Sequence, residues 1–323
     1  MNVEWKRFLV AQQTHFPEAT PPSERFIVPL THLAVLTISG EDAGTFLQGQ
    51  VTCHVLELNA TQSSLGAICN PKGRVLAVFL LIKCPEGFLM VLPAEQREAV
   101  KKRLTPYILR SRVIITDSID EWCLLGMSDE GHQHGVFSTS VDTAFRVYLD
   151  HRQLLIAKPV EAISIWQTQT ALGFQTTDSA YWRYLDIIAG LPWLSTATAE
   201  AYIPQMLNLD QLGGISFTKG CYTGQEVIAR THYLGKAKRA MFLAECQLAY
   251  TPEPNTLIYL EGLSTAQVSI DDAELSSGKV LMAERQGDDC KMLIVMPICD
   301  TTHFQLKLDN QHTLILLEPS VLV

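Results

Sequence analysis

The chain has 323 residues, a mass of 36.0 kDa, a formal charge of −9 and a pI near 5.5, a length that calls for roughly two or three packed units rather than one core. Hydrophobic residues at 47% against charged ones at 18% exclude a disordered or fibrous chain. The acidic balance also excludes general nucleic-acid binding by an overall basic surface.

The amino terminus MNVEWKRFLVAQQTH pairs an early acid with an apolar run of only residues 8–11, too short for a secretory core. The longest apolar run, VLAVFLLI at 75–82, is far below the ~20 residues of a membrane span. A cytoplasmic protein without a membrane anchor is expected.

After the proline-rich segment FPEATPPSERF, LAVLTISG predicts a strand, and EDAGTFLQGQ predicts a short helix opened by Ser39 to Asp42. SLGAIC and RVLAVFLLIK predict a hairpin about the turn NPKG, with GFLMVLP as the next strand. AEQREAVKKRLTPYIL has apolar residues at helical spacing, with the basic AVKKR on a solvated face. Strands follow in RVIITDS, WCLLGM, FRVYL and QLLIAK, then helices in EAISIWQTQTALG and DSAYWRYLDIIAG, the second capped by Asp178. The order lacks strict βα alternation, which favours α+β over a doubly wound sheet.

Beyond Arg239 the pattern changes. AMFLAEC, TLIYLEG, AQVSID, KVLMAERQ, CKMLIVMP, FQLKLDN and HTLILLE are short half-alternating segments between turns, as in a small antiparallel barrel or sandwich. The predicted division is an α+β region over 1–235 and a C-terminal all-β unit, barrel or sandwich, over 236–323.

The sequence has no GxSxG elbow, HExxH, GxGxxG or phosphate loop, so the common hydrolase and nucleotide readings lose their support. Eight cysteines stand at 53, 69, 84, 123, 221, 246, 290 and 299, with no CxxC pair, and His132 and His134 lie in a polar loop. No metal site is expected from this spacing.

One cysteine has different neighbours. In GGISFTKGCYTGQEVIART (213–231), Thr223 to Glu226 matches a capping box followed by Val227 and Ile228, which predicts a helix starting at Thr223. Cys221 then precedes a helix N-terminus and follows Lys219 by two residues, and both features favour a thiolate with a pKa below the ~8.5 reference. A tight glycine turn in which the cysteine merely fits is the competing reading.

This stretch closely resembles the signature of the YgfZ-type folate-binding proteins, relatives of the glycine-cleavage T-protein. TISGEDAGTFLQGQVT, CNPKGRV, AGLPW and YIPQMLNLDQLGG resemble further segments of that family in the same order. The resemblance implies a three-lobed, aminomethyltransferase-like α+β fold with two intertwined lobes, a central folate site and a C-terminal antiparallel β-barrel.

It also implies a role in maintaining iron–sulfur proteins, including an enzyme that thiolates tRNA. On this reading Cys221 is the functional thiol with Lys219 beside it. Trp182, Glu226 and Arg230 belong to the site of tetrahydrofolate or a derivative, and no cluster is held by this chain alone. An indole offers a flat stacking face to a pterin, while packing along the helix against Leu185 and Ala189 is the alternative for Trp182. Arg230, His232, Lys236, Lys238 and Arg239 form a basic strip that could hold a folate tail or an RNA phosphate, or serve only as a solvated linker.

The chain departs from T-proteins where they carry acids: Ala77, Val78 and Ile188 occupy those places, and Leu33 replaces an early tryptophan of some relatives. None of these can exchange a proton, so ordinary glycine-cleavage chemistry is not expected. Two alternatives remain: a one-carbon transferase using Glu226 or Lys219, and a module that touches tRNA through the basic strip.

Overall fold

The computed structural model describes residues 1–12, 25–128, 134–261, 277–298, 305–308 and 312–317. Most of FPEATPPSERF, the AQVSID strand, His132 and Cys299 lie outside them.

The chain opens with α1 (Val3–Gln12), β1 (Phe26–Pro29), β2 (Leu33–Ser39) and α2 (Ala43–Gln48). The NPKG hairpin is β3 (Ser64–Cys69) and β4 (Val75–Cys84), followed by β5 (Gly87–Pro93), α3 (Arg97–Leu104), β6 (Ile114–Asp117) and β7 (Cys123–Ser128). Next come β8 (Thr139–Val141), β9 (Phe145–Tyr148), β10 (Arg152–Ala157), α4 (Pro159–Ala171), β11 (Gln175–Thr176), α5 (Ser179–Ile188) and α6 (Gln225–Leu234). The remaining strands are β12 (Arg239–Gln247), β13 (Leu257–Glu261), β14 (Ser277–Gln286), β15 (Asp289–Pro297), β16 (Gln305–Leu308) and β17 (His312–Leu317).

These strands build three bodies. One sheet runs β11-β1-β7-β10-β9-β8, a second runs β3-β4-β5-β2-β6, and β12-β15-β14-β13-β16-β17 close into an antiparallel barrel. Closure leaves no exposed barrel edge. The boundary expected at 235–236 falls between the end of α6 at Leu234 and the first barrel strand at Arg239.

Leu124 and Leu154 of the first sheet, Leu80 and Val91 of the second, Trp182 of α5, and Leu243 and Leu293 of the barrel belong to a single buried cluster. The three bodies therefore meet around α5, which packs on β14 and β15 and ties to the barrel through Arg183 Nε to Glu284 Oε2 at 2.7 Å and Tyr184 Oη to Asp289 Oδ2 at 2.6 Å.

Asp178 caps α5 as predicted, its Oδ1 accepting from the N–H groups of Ala180 and Tyr181 at 3.0 and 3.3 Å. Asp42 behaves differently: it precedes α2 but makes no side-chain cap bond, and its Oδ2 instead accepts from Arg112 N–H at 2.7 Å. The amino-terminal helix α1 was not legible as a helix. It is held by long-range burial, with Trp5 edge-on to Trp166 of α4 at 6.2 Å and Leu9 in the same cluster.

Candidate functional site

The segments singled out in the sequence converge on the loop that carries Cys221. Thr52, fully buried, donates from Oγ1 to Gly214 O at 2.6 Å and accepts from Ala67 N–H at 2.8 Å, while Ser216 N–H donates to Thr52 O at 2.9 Å. Thr223 N–H donates to Gly49 O at 3.3 Å, and its Oγ1 lies 3.5 Å from Gln50 Oε1. Gly49 and Gln50 also line an open cleft of about 900 Å³ together with Phe46, Tyr107 and Arg110.

Lys219 does not turn toward Cys221 as the sequence led one to expect. Its ammonium points inward, donating to Val51 O and Cys53 O at 2.7 Å each, 5.0 Å from the centre of the Tyr222 ring. Burial lowers its pKa to about 8, opposed by the nearby Cys53 thiol. By donating to both buried carbonyls at once, Lys219 acts as a clamp on the loop. Burial also raises the Tyr222 hydroxyl. Between these two inward residues Cys221 is exposed, whereas Cys53, Cys69, Cys84, Cys123, Cys246 and Cys290 are buried.

The expected capping box at Thr223 does not form. The cap position falls one residue later, at Gly224 with φ 85° and no side-chain cap bond, and the helix itself begins at Gln225. The reason is steric: a Cβ on Gly224 would lie 2.6 Å from Asn70 O and 3.0 Å from Gly73 Cα, and one on Gly73 would lie 2.9 Å from Val227 Cβ. The NPKG turn and the start of α6 thus press backbone to backbone, which requires glycine at both places.

Asn70 organises that turn, its Oδ1 accepting from the N–H groups of Lys72 and Arg74 at 2.9 and 3.0 Å. Gly224→Ala is expected to lower stability by about 2–4 kcal/mol, combining the left-handed backbone with the clash. A urea unfolding midpoint unchanged from wild type would contradict this close approach.

Trp182 is 1% exposed, with the Arg152 guanidinium over its ring at 4.6 Å. A Cβ on Gly126 would lie 2.3 Å from its Cε3 and Cζ3, so the indole occupies the space a side chain would need. In this arrangement it has no open face for a pterin, and stacking would require Arg152 to move aside.

Arg152 donates from Nη1 to Asp186 Oδ1 and from Nε to Asp150 Oδ1, both at 2.8 Å, and Trp193 Nε1–H donates to Asp186 Oδ2 at 2.8 Å. Burial pushes Asp186 up to about 6 against the opposing pull of Arg152 and the Trp193 bond. The Nη2 of Arg152 is buried without a protein partner. An acceptor on a bound ligand would satisfy this donor, whose desolvation otherwise costs about 1–3 kcal/mol.

Arg152 and Asp186 were missed from the sequence. The available signal was Asp186 itself, an acid four residues after Trp182 on the inward face of an amphipathic helix, where an unpaired charge is rarely tolerated.

Glu226 and Arg230 stand on the exposed side of α6. Trp182, by contrast, is buried, so of the three residues expected at the folate site two are exposed and one is enclosed. For the transferase alternative, Lys219 already donates to two carbonyls and Glu226 faces solvent. Ala77 and Val78 are fully buried hydrocarbon. His134 stacks on Tyr148 at 3.8 Å, and among the described residues no group of three His, Cys, Asp or Glu side chains is placed to hold a metal.

No protein-family model matches the sequence. The architecture is that of an aminomethyltransferase T-protein: it aligns with glycine cleavage system aminomethyltransferase T from Bartonella henselae at a TM-score of 0.70, covering 94% of this chain and 87% of that chain at 14% identity. Two relatives are each named tRNA-modifying protein YgfZ. The one from Colwellia psychrerythraea is 32% identical over 250 residues, 74% of this chain and 77% of the relative. The one from Photobacterium profundum is 33% identical over 262 residues, 77% of each. The chain belongs to the YgfZ family. Among the described residues no helix is long and apolar enough to cross a membrane.

Proposed function

We propose that this protein binds a folate and supports iron–sulfur enzymes that modify tRNA, among them a tRNA-thiolating enzyme in the cytoplasm, with Cys221 as its functional thiol. The observation that carries this reading is the exposed Cys221 between the buried anchors Lys219 and Tyr222. A clamped loop presents the sulfur in one place at little further ordering cost, and a soft, accessible sulfur can bond reversibly to a metal or to another sulfur. The tRNA link is supported by the name of the two relatives.

Folate binding is supported by the T-protein architecture and by the unsatisfied Arg152 donor beside Trp182. When bound, tetrahydrofolate supplies a one-carbon carrier. Ala77, Val78 and Ile188 offer it no proton-transfer group, which favours an accessory role over aminomethyl transfer. The thiol half of the reading is tested by Cys221→Ala.

The folate half is tested by titrating tetrahydrofolate while following indole fluorescence. Saturable quenching is expected, and Trp182→Phe should remove most of it while leaving the other four tryptophans. A flat titration would remove the folate assignment, and full quenching in the variant would move the site away from Trp182.

A further inference from the structure

The outer face of α6 and the segment after it carry cations and an exposed ring that the proposed thiol site and the Trp182 surroundings do not involve. Between Glu226 and Glu245 there is no acidic residue, yet Arg230, Lys236, Lys238 and Arg239 fall there, in a chain of net charge −9. Arg239 is committed to the Ser277 carbonyl at 2.9 Å. Arg230, Lys236 and Lys238 are exposed, and among the described residues none of them takes part in an ion pair.

Beside these cations stands an aromatic ledge. Phe217 stacks on His232 at 3.7 Å and 14°, and Tyr233 meets His232 edge-on at 4.7 Å and 80°. Tyr233 is 65% exposed, and helical spacing puts it on the same side of α6 as Arg230, away from the buried Ile228.

A run of cations alone is ordinary solvated surface, and so is one exposed tyrosine. Together they supply what an unpaired nucleic-acid strand needs: cations for its phosphates and an open ring for a base. A duplex hides its base faces, and an acidic peptide need not carry a ring to stack.

We infer that this face binds an unpaired stretch of RNA, with Arg230, Lys236 and Lys238 on phosphates and a base on Tyr233. The choice of RNA rests on the proposed link to tRNA modification.

The test is fluorescence anisotropy with the full chain and a fluorescein-labelled single-stranded RNA of about 12 nucleotides, a site size typical of such surfaces. Polyglutamate and unlabelled tRNA serve as competitors, and the same sequence as a duplex serves as a comparison. For three phosphate contacts, log affinity should fall with log salt at a slope of about −2, and Lys236→Ala/Lys238→Ala should reduce that slope by about 1.4.

Tyr233→Ala should weaken binding about tenfold and Tyr233→Phe should retain it. Unlabelled tRNA should compete. A duplex bound as tightly, an undiminished Tyr233→Ala, or polyglutamate competing as well as tRNA would each overturn the inference, the last in favour of an acidic protein partner. These substitutions leave Cys221 and the α5 core untouched, so their failure would leave the thiol and folate reading standing. RNA affinity retained in Cys221→Ala with unchanged tRNA thiolation would do the reverse.

Discussion

Replacing Cys221 by alanine is expected to abolish the support this protein gives to iron–sulfur-dependent tRNA thiolation while changing its stability by less than about 0.5 kcal/mol. The two effects separate because the loop is held by Lys219 on two carbonyls and by Thr223 N–H on Gly49, with no bond to the thiol among them. Thiolated nucleosides would be measured by mass spectrometry in cells whose own copy is deleted and replaced by wild-type or variant protein, alongside urea midpoints of the purified chains. Undiminished thiolation would defeat the assignment, and so would a loss fully explained by unfolding. Iodoacetamide should label Cys221 before the six described buried cysteines, because a buried thiol reacts only when the fold opens.

Asp186→Ala is expected to destabilise the fold by about 3–5 kcal/mol, since it leaves the Arg152 charge buried with only Asp150 beside it and also frees Trp193 Nε1–H. The effect should exceed that of any single exposed ion pair, such as Lys158 with Glu121, where about 0–1 kcal/mol is typical. Asp186 also predicts a pH dependence.

Burial raises its folded pKa to about 6, above the ~3.9 of an unfolded aspartate. The native state therefore binds more protons than the unfolded state between about pH 4 and 6. This contribution to stability is fully present below about pH 4 and is lost as pH rises toward 6. Asp186→Asn, which keeps the shape without the titration, should show a flatter urea midpoint across that window. An alanine variant within about 1 kcal/mol of wild type would contradict the buried pair as described.

The strands of the NPKG hairpin, the barrel segments and the Asp178 cap were legible because each is set by short-range chemistry: alternation, turn residues, and an acid reaching back to nearby N–H groups. The family was legible for the same reason, since KGCYTGQE is a continuous string. The Thr223 capping box was also a sound local pattern. It lost to the NPKG turn, which lies about 150 residues earlier in the chain and leaves room there only for a left-handed glycine. The helix α1 escaped notice because its hold is on Trp166, a distant partner.

By itself, then, the sequence determined the order and type of most elements, the presence of a C-terminal barrel and the family. Only the tertiary structure decided which way functional side chains face. Lys219 and Cys221 are two residues apart, yet one is clamped on the carbonyls of Val51 and Cys53 and the other is exposed. Trp182 is enclosed by Gly126 and Arg152, from other parts of the chain. Periodicity and turn chemistry are properties of neighbours along the chain, whereas burial, ion pairing and the space around a ring depend on which distant segments arrive beside them.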